Sequence, residues 1–480
     1  MGAIADDRST PELDARVGLE KLATYPFLIA TWVDDAGYPV SAAVEATVDS
    51  AGLTATFAPP AGLTVPTDRP VSLTGSHIRP QPGYGYDERR HVTVWGRATA
   101  ADAVTIGDPG STPSNGRVTL SGQTAWGWDE TEVPFFEYSE RSLPQSRRYF
   151  DALSAERGTP VKPKLSFGFL TLRTTRLPFL TATIIPVVLG ILIAASHGAF
   201  DLVSAALTVI GASFVQLGLN VANDVFDTVQ GADDANVTPT KFSGGSRVIQ
   251  YGLVSLRQMA GLATVFYVLA GIIGLILLAT RGSTALLVIG IVGFIVSLGY
   301  TAPPLKFVYR GLGEIAVALG FGPMMLLGAY VVQTRGALSW EPFVASIPVA
   351  LLVALILYVN EIPDRRGDAR AGKRTLPVRF SPRAVIGGYN AAVTAAYIAL
   401  VAGVVAGILP VPTLLMLLTI PMARRVSRGL APNYDNPYGL MAIMGENVQL
   451  HLIAGLLLLA AYAIVIVAGA VAPGVDLFLG

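Results

Sequence analysis

Beyond Leu177 the chain reads as if written for a different solvent. Nine apolar segments follow one another, roughly 177–196, 202–226, 259–279, 284–301, 314–333, 342–360, 384–408, 411–423 and 449–471. Most approach the ~20 residues an α-helix needs to cross a bilayer. Lipid offers no partner to a bare peptide group, so a spanning segment must satisfy its own backbone, and helices do so. Composition agrees: 52% of residues are hydrophobic, only 14% are charged, and mean hydropathy is +0.52. Residues 166–480 are therefore expected to be an all-α polytopic domain of nine transmembrane helices.

The first 165 residues differ. They carry 15 Lys/Arg against 21 Asp/Glu, net −6, whereas 166–480 carry 19 against 13, net +6. With no basic excess on the soluble part, no nucleic-acid partner is expected. Met1 to Arg16 are polar and acidic, without a basic start leading into an apolar run, so this region is expected to stay in the cytosol. Residues 20–145 read as β-rich: Phe27–Val33, Val40–Val48, Leu53–Phe57, Val71–Leu73 and His91–Ala98 are short segments between turn signals. That spacing suggests a small barrel or sandwich. Glu137–Arg157 reads as a closing amphipathic helix and 158–164 as a linker.

Loop charge sets the orientation. With the N-terminus inside, the inner loops of the membrane half hold fifteen cations, from Lys241 to Arg428, against Arg281 and Arg335 outside. The positive-inside rule then places the N-terminal domain in the cytoplasm and, with nine spans, the C-terminus outside.

The chain has no cysteine and four scattered histidines, His77, His91, His197 and His451. Disulfides, thiolate nucleophiles and cysteine-built metal sites are excluded, and carboxylates remain as metal ligands, which points to Mg²⁺. The acids of the membrane half concentrate in two places. One is Asn220-Val-Ala-Asn223-Asp224-Val-Phe-Asp227, continuing to Asp233 and Asp234; the other is Asn360-Glu361-Ile-Pro363-Asp364, continuing to Asp368. Asn220, Asn223, Asp224 and Asp227 share one helical face, as do Asn360, Asp364 and Asp368 if the helix continues through Pro363, where a kink is expected. Acids at a helix C-terminus oppose its dipole and repel one another, so a compensating cation is required. Divalent ions bridging carboxylates to a ligand phosphate would supply it. Three basic stretches suit the same phosphate: Lys241-Phe-Ser-Gly-Gly-Ser-Arg247, Lys306 after Tyr300, and Lys373-Arg374. A transporter would instead set its charges near the midplane on broken helices.

At these residues, across roughly 170–475, the chain resembles the UbiA superfamily of intramembrane aromatic prenyltransferases. The motifs are Asn223-Asp-x-x-Asp227-x-x-x-Gly231-x-Asp233, Ser243-Gly-Gly-Ser-Arg247, Tyr300-Thr-x-Pro-Pro304 and Asp364-x-x-x-Asp368-x-x-x-Gly372-Lys-Arg-Thr-Leu376. Gly311-Leu-Gly-Glu314 through Gly320-Phe-Gly-Pro323 and Gly328-Ala-Tyr330 looks most like the 1,4-dihydroxy-2-naphthoate branch, which serves menaquinone biosynthesis. The resemblance implies Mg²⁺ held by Asp227 and Asp233, with Asp224 nearby, and a second ion held by Asp364 and Asp368. Whether Asp233 or Asp234 completes the first motif is left open. It implies Asn223, Arg247, Lys306 and Lys373 on the diphosphate, Tyr300 positioning it or shielding the cation, and Asp227, Asp364 and Asp368 as catalytic. Its substrates would be a polyprenyl diphosphate and an aromatic acceptor in the bilayer. Other acceptors, 4-hydroxybenzoate, homogentisate or a glycerol-phosphate ether lipid, are alternatives, as is a membrane-anchored flavin oxidoreductase.

Residues 20–145 resemble the pyridoxamine-phosphate-oxidase-like FMN-binding split barrel, through Leu28-Ile-Ala-Thr31-Trp-Val-Asp-Asp-Ala-Gly37-Tyr-Pro39 and His91-Val-Thr-Val-Trp-Gly96-Arg-Ala98. This implies a homodimer through the barrel with FMN, or a barrel that has lost its flavin and serves as scaffold. Arg69, Arg79, Arg89 and Arg90 are the cations available to a flavin phosphate.

Overall fold

The computed structural model describes residues 12–67, 69–80, 86–100, 116–133, 138, 150–151, 154–161, 166–236, 239–240, 242–472 and 477–479. The chain divides into two compact units, Met1–Val161 and Lys162–Gly480.

The first unit is one antiparallel sheet. Its strands are β1 (Glu12–Leu13), β2 (Leu28–Val33), β3 (Pro39–Val44), β4 (Ala46–Asp49), β5 (Thr54–Phe57), β6 (Pro70–Pro80), β7 (Tyr86–Ala100) and β8 (Val118–Asp129). They pair in the order β3-β2-β6-β7-β8-β5-β4, with β1 on β8. Period-two alternation sorts β2: Leu28, Ala30 and Trp32 are buried while Ile29 and Val33 face out. The expected strand Val40–Val48 is two strands, interrupted at the exposed Glu45. Sequence reading missed β8, whose Ser-Gly-Gln-Thr stretch hides its alternation, and α1 (Ala15–Leu22), capped by Asp14 and packed through Leu19 and Leu22. Most of the expected closing helix at 137–157 lies outside the described residues, as does Lys241.

The second unit is helical. In chain order its helices are α2 (Phe167–Thr175), α3 (Thr181–Ser196), α4 (Leu202–Val229), α5 (Ala232–Ala235), α6 (Leu256–Arg281), α7 (Thr284–Gly299), α8 (Gly313–Leu319) and α9 (Met325–Thr334). There follow α10 (Trp340–Arg370), α11 (Leu376–Arg379), α12 (Pro382–Val405), α13 (Ile420–Asn433) and α14 (Pro437–Val471). A π-helical turn, Gly320–Met324, joins α8 to α9. Among the described residues six helices are long and apolar enough to cross a membrane: α4, α6, the α8–α9 pair, α10, α12 and α14. This is fewer than the nine segments expected. The helices at 181–196 and 284–299 have 16 residues each, and 411–419 is a 3₁₀ segment that leads into the polar α13.

Helix α10 is the axis of the unit. Of its most apolar stretch 72% is buried, against 11% for α6. Its 31 residues span about 46 Å. Near its N-terminus Glu341 accepts hydrogen bonds from Tyr462 (2.8 Å) of α14 and His197 Nε2 (2.6 Å) after α3. His197 Nδ1 lies 2.9 Å from the Tyr330 hydroxyl of α9. Four segments are thus tied together at one point. At the other end α10 runs through Pro363 to Arg370 without a break in the helix, so Asn360, Asp364 and Asp368 do share a face.

Candidate functional site

The last turns of α4 and α10 carry the two acid clusters, and a lysine joins them. Lys373 Nζ lies 3.3 Å from Asp227 Oδ2 and 3.8 Å from Asp368 Oδ1. Burial works against its charge, but Asp227 and Asp368 outweigh it and hold the ammonium well above its ordinary pKa. Asp227 also accepts from the Tyr309 hydroxyl (2.8 Å) and Asn223 Nδ2 (3.2 Å). The Tyr309 ring stands between two cations, Lys306 Nζ at 5.6 Å and Lys373 Nζ at 5.7 Å from its centroid.

The loop after α5 ties the clusters a second time. Asp364 accepts from Asn236 Nδ2 (2.9 Å) and Ser243 Oγ (2.8 Å) on one oxygen and from the Gly244 amide (2.8 Å) on the other. Gly244 and Gly245 both sit at positive φ, and a Cβ on Gly245 would come within 2.8 Å of Asp233 Oδ1. Only glycine lets this loop pass so close to the acid. Asp233 is buried, and burial followed by the charges of Asp227 and Asp224 pushes its carboxyl well above the usual range. Asp234 beside it is exposed.

These groups line a cavity of about 180 Å³. Asn223, Asp227, Asp233, Tyr300, Asp364, Asp368 and Lys373 all face it. Asp224 does not: it is buried, paired with Arg176 and with the Ser246 amide (3.2 Å). Arg247 is buried too and donates to the Asp233 carbonyl, outside the cavity lining. Lys306 lines a separate recess with Gln230, Tyr309, Arg310, Ala371 and Gly372. Of the three cations expected on a diphosphate, Arg247, Lys306 and Lys373, the last alone touches the main cavity; Lys241 falls outside the described residues.

Sequence reading missed Arg176, which lines the cavity from just ahead of the first apolar segment. Its signal was a lone arginine at the membrane entry, indistinguishable from a topology marker. The chain holds it in a left-handed backbone conformation (φ 51°), between α2 and a 3₁₀ turn at Leu177–Leu180. Arg173 anchors the same stretch by donating to the Ser246 carbonyl (2.8 Å). Asn236, Tyr309 and Glu361 were missed as site residues as well.

The donor set suits a hard divalent cation. Asp233 Oδ2 and Asp368 Oδ2 are buried without a hydrogen-bond partner, and no cysteine or histidine lines the cavity. Among the described residues no three acids or histidines converge on one point. The paired carboxylates facing the cavity are the kind of ligand Mg²⁺ takes, one or two at a time, its shell being completed by water and substrate phosphate.

A larger, apolar cavity of about 570 Å³ adjoins it between α4, α6, α7 and the α8–α9 pair. Gln216, Leu219, Tyr300, Val317 and Phe321 belong to both walls.

The four arginines of the sheet unit expected near a flavin phosphate each have a partner. Arg89 pairs with Glu130 (2.7 Å), Arg79 with Glu88 (3.0 Å) and Arg69 with Asp35 (3.2 Å). Arg90 stacks on Tyr25 at 5.5 Å.

Comparison with known proteins agrees with the helical site. The 2-carboxy-1,4-naphthoquinone phytyltransferase of Synechocystis is 27% identical over 300 residues, 61% of this chain and 92% of the relative. The 1,4-dihydroxy-2-naphthoate octaprenyltransferase of Bacillus subtilis is 26% identical, over 63% of this chain and 94% of the relative. That of Escherichia coli is 30% identical over 44% of this chain and 67% of its own length. Among solved structures, a UbiA homolog from Archaeoglobus fulgidus bound to GPP and Mg²⁺ superposes with a TM-score of 0.45 at 16% identity, covering 60% of this chain and 99% of that one. The model of the UbiA prenyltransferase family matches residues 183–437, and the chain belongs to that family.

Proposed function

We propose that this prenyltransferase moves a polyprenyl group from an allylic diphosphate to 1,4-dihydroxy-2-naphthoate, releasing diphosphate. The observation that carries the reading is the meeting of two carboxylate clusters across Lys373, in a cavity that shares a wall with a larger apolar one. The acceptor follows from the relatives' names and from the Gly311-Leu-Gly-Glu314 stretch.

Asp227 and Asp233 would hold one Mg²⁺, Asp364 and Asp368 the other. Bound there, the ions neutralise charge that accumulates on the departing diphosphate. Lys373 and Arg176 grip the diphosphate oxygens directly, and Asn223 holds Asp227 in register. Arg247 acts through the Asp233 loop it braces, and Lys306 serves the outer mouth. Tyr300 stands where the polar and apolar cavities join, so its ring flanks the allylic carbon as the C–O bond breaks. Phe179, Phe321, Val353 and Ile356 keep water from the electrophile, which the acceptor ring then attacks.

We read nine membrane crossings, counting α3, α7 and the 411–423 segment, with the N-terminal unit cytoplasmic and the C-terminus outside. The α3 and α7 helices are about 24 Å long, which spans only a thinned core. The sheet unit is a scaffold that pairs two copies rather than a flavin enzyme. A purified sample with bound yellow cofactor, or with affinity for added FMN, would overturn that part.

The test is incubation of the purified protein with polyprenyl diphosphates, Mg²⁺ and a panel of acceptors, products being identified by mass. Prenylated naphthoate product is expected. No diphosphate release with any pair, or full turnover in Asp227→Ala and Asp364→Ala, refutes the reading.

A further inference from the structure

Three arginines on the polar helix α13 have no part in the site. One side of this helix buries Ala423, Val426 and Leu430, and it packs so closely on α14 that a Cβ on Gly429 would collide with Ile443. Arg424, Arg425 and Arg428 stay exposed. The helix contains no acid. Arg425 has one distant partner, Glu446 of α14 at 3.9 Å. Among the described residues Arg424 and Arg428 form no ion pair. Like charges three and four residues apart on a helix repel, so this face is unfavourable until an anion reaches it.

Hydrogen bonds fix its depth. Tyr389 of α12 donates to Asn447 of α14 (2.9 Å), which donates to the Leu355 carbonyl of α10 (2.9 Å). Residues 355, 389 and 447 therefore stand at one level of three helices that are long and apolar enough to cross a membrane. Ser427 of α13 donates to Asn390, the next residue of α12, and Arg425 reaches Glu446, the residue before Asn447. The apolar run of α10 ends near 360 and that of α14 begins near 449. The arginines thus stand where hydrocarbon gives way to headgroups. Leu418, shortly before them in the chain, is 69% exposed, as a side chain facing lipid would be.

We propose that this face of α13 binds the phosphate of an anionic phospholipid from the surrounding leaflet, read above as the cytoplasmic one. Arg424 and Arg428 lie one turn apart, and their planar forks suit the oxygens of a phosphodiester. The acyl chains lie along the apolar segment that holds Leu418. Cations that only set orientation need no fixed geometry. These are carried by an ordered helix at headgroup depth, with their one neighbouring acid to the side. Basic pockets between membrane helices on the cytoplasmic side bind anionic headgroups in this way. A zwitterionic lipid brings its own cation to the phosphate and gains less here. The inference rests on the reading of α10, α12 and α14 as membrane crossings and is independent of the prenyl-transfer chemistry.

The test uses the full chain in uncharged detergent, titrated with short-chain phosphatidylglycerol and followed by melting temperature and native mass. A saturable rise in melting temperature with a retained lipid adduct is expected, whereas phosphatidylcholine and free glycerol phosphate should give neither. Each arginine near an anionic phosphate contributes roughly a fivefold factor, so Arg424→Gln/Arg428→Gln should bind about 20-fold more weakly. Arg257→Gln removes an exposed cation from the start of α6, on the same side, and should stay within about twofold. Equal responses to phosphatidylcholine and phosphatidylglycerol overturn the proposal. So does an equal loss in Arg257→Gln, which would leave only general attraction to positive charge. Glycerol phosphate binding as tightly as the lipid would make a soluble anion the occupant and overturn it too. Should the double variant fail to fold, the single variants Arg424→Gln and Arg428→Gln, at about fivefold each, decide. The chain has no cysteine, so Ala431→Cys in intact cells tests the crossing reading separately. Labelling from outside by a membrane-impermeant maleimide refutes that orientation and leaves the titration to decide the lipid site.

Discussion

The two ends of α10 bury acids in opposite ways. At its start Glu341 has a donor on each oxygen, Tyr462 on one and His197 on the other. At its finish Asp368 and Glu361 keep buried oxygens with no donor at all. The same helix, packed on both sides, thus closes one network and leaves the other open. A closed network is a staple, in which each member costs stability when removed. An open one is unfavourable until something with positive charge or hydrogens arrives, and so marks a place where binding supplies what folding does not.

Four changes would break or sharpen that contrast. The largest effect should come from chelation: EDTA abolishes diphosphate release and added Mg²⁺ restores it, while the melting temperature moves by only a few degrees. Next, Asp368→Asn should lower turnover about 100-fold or more without lowering the melting temperature, since it removes a charge that Asp364 and Asp227 repel. A clear loss of stability would mean the open end is structural as well. Third, Glu341→Ala should cost about 3 kcal/mol, because it strands His197 and Tyr462. Affinity for prenyl thiodiphosphate should survive, and its loss would show that the two ends are coupled. The smallest effect is with pH. The Glu341 hydrogen bond, against a smaller opposing effect of burial, raises the His197 pKa. Its contribution is therefore full below the ordinary value near 6.5 and is lost as pH rises through the raised one. A melting temperature falling by a degree or two over that window, and flat in His197→Gln, is the expected record.

The acid clusters were legible because charge in an apolar chain is rare and helical spacing puts Asp224 with Asp227 and Asp364 with Asp368. Which acid faces the cavity was not. Asp224 turns to Arg176, a partner 48 residues away, and only the packing of α2 against α4 reveals it. Asp233 and Asp234 are equivalent as letters; the tight loop at Gly245 selects the first. Sequence shows the charge of Arg247 and Lys306 without its direction: the first donates to the Asp233 carbonyl and the second lines a separate recess. Strand β8 escaped notice for the converse reason, as small and polar residues blur alternation that pairing with β5 and β7 makes plain.

Arg176 carries a practical consequence for anyone dividing this chain. It lies in the left-handed turn ahead of α3, and Arg173 fastens the preceding helix to the Ser246 carbonyl. A cleavage ahead of Phe167 frees the sheet unit and spares both arginines. A cleavage a dozen residues later, where hydropathy alone would place the border, carries a cavity cation away with the discarded half. The fragment would keep every aspartate of both motifs and still hold its diphosphate poorly.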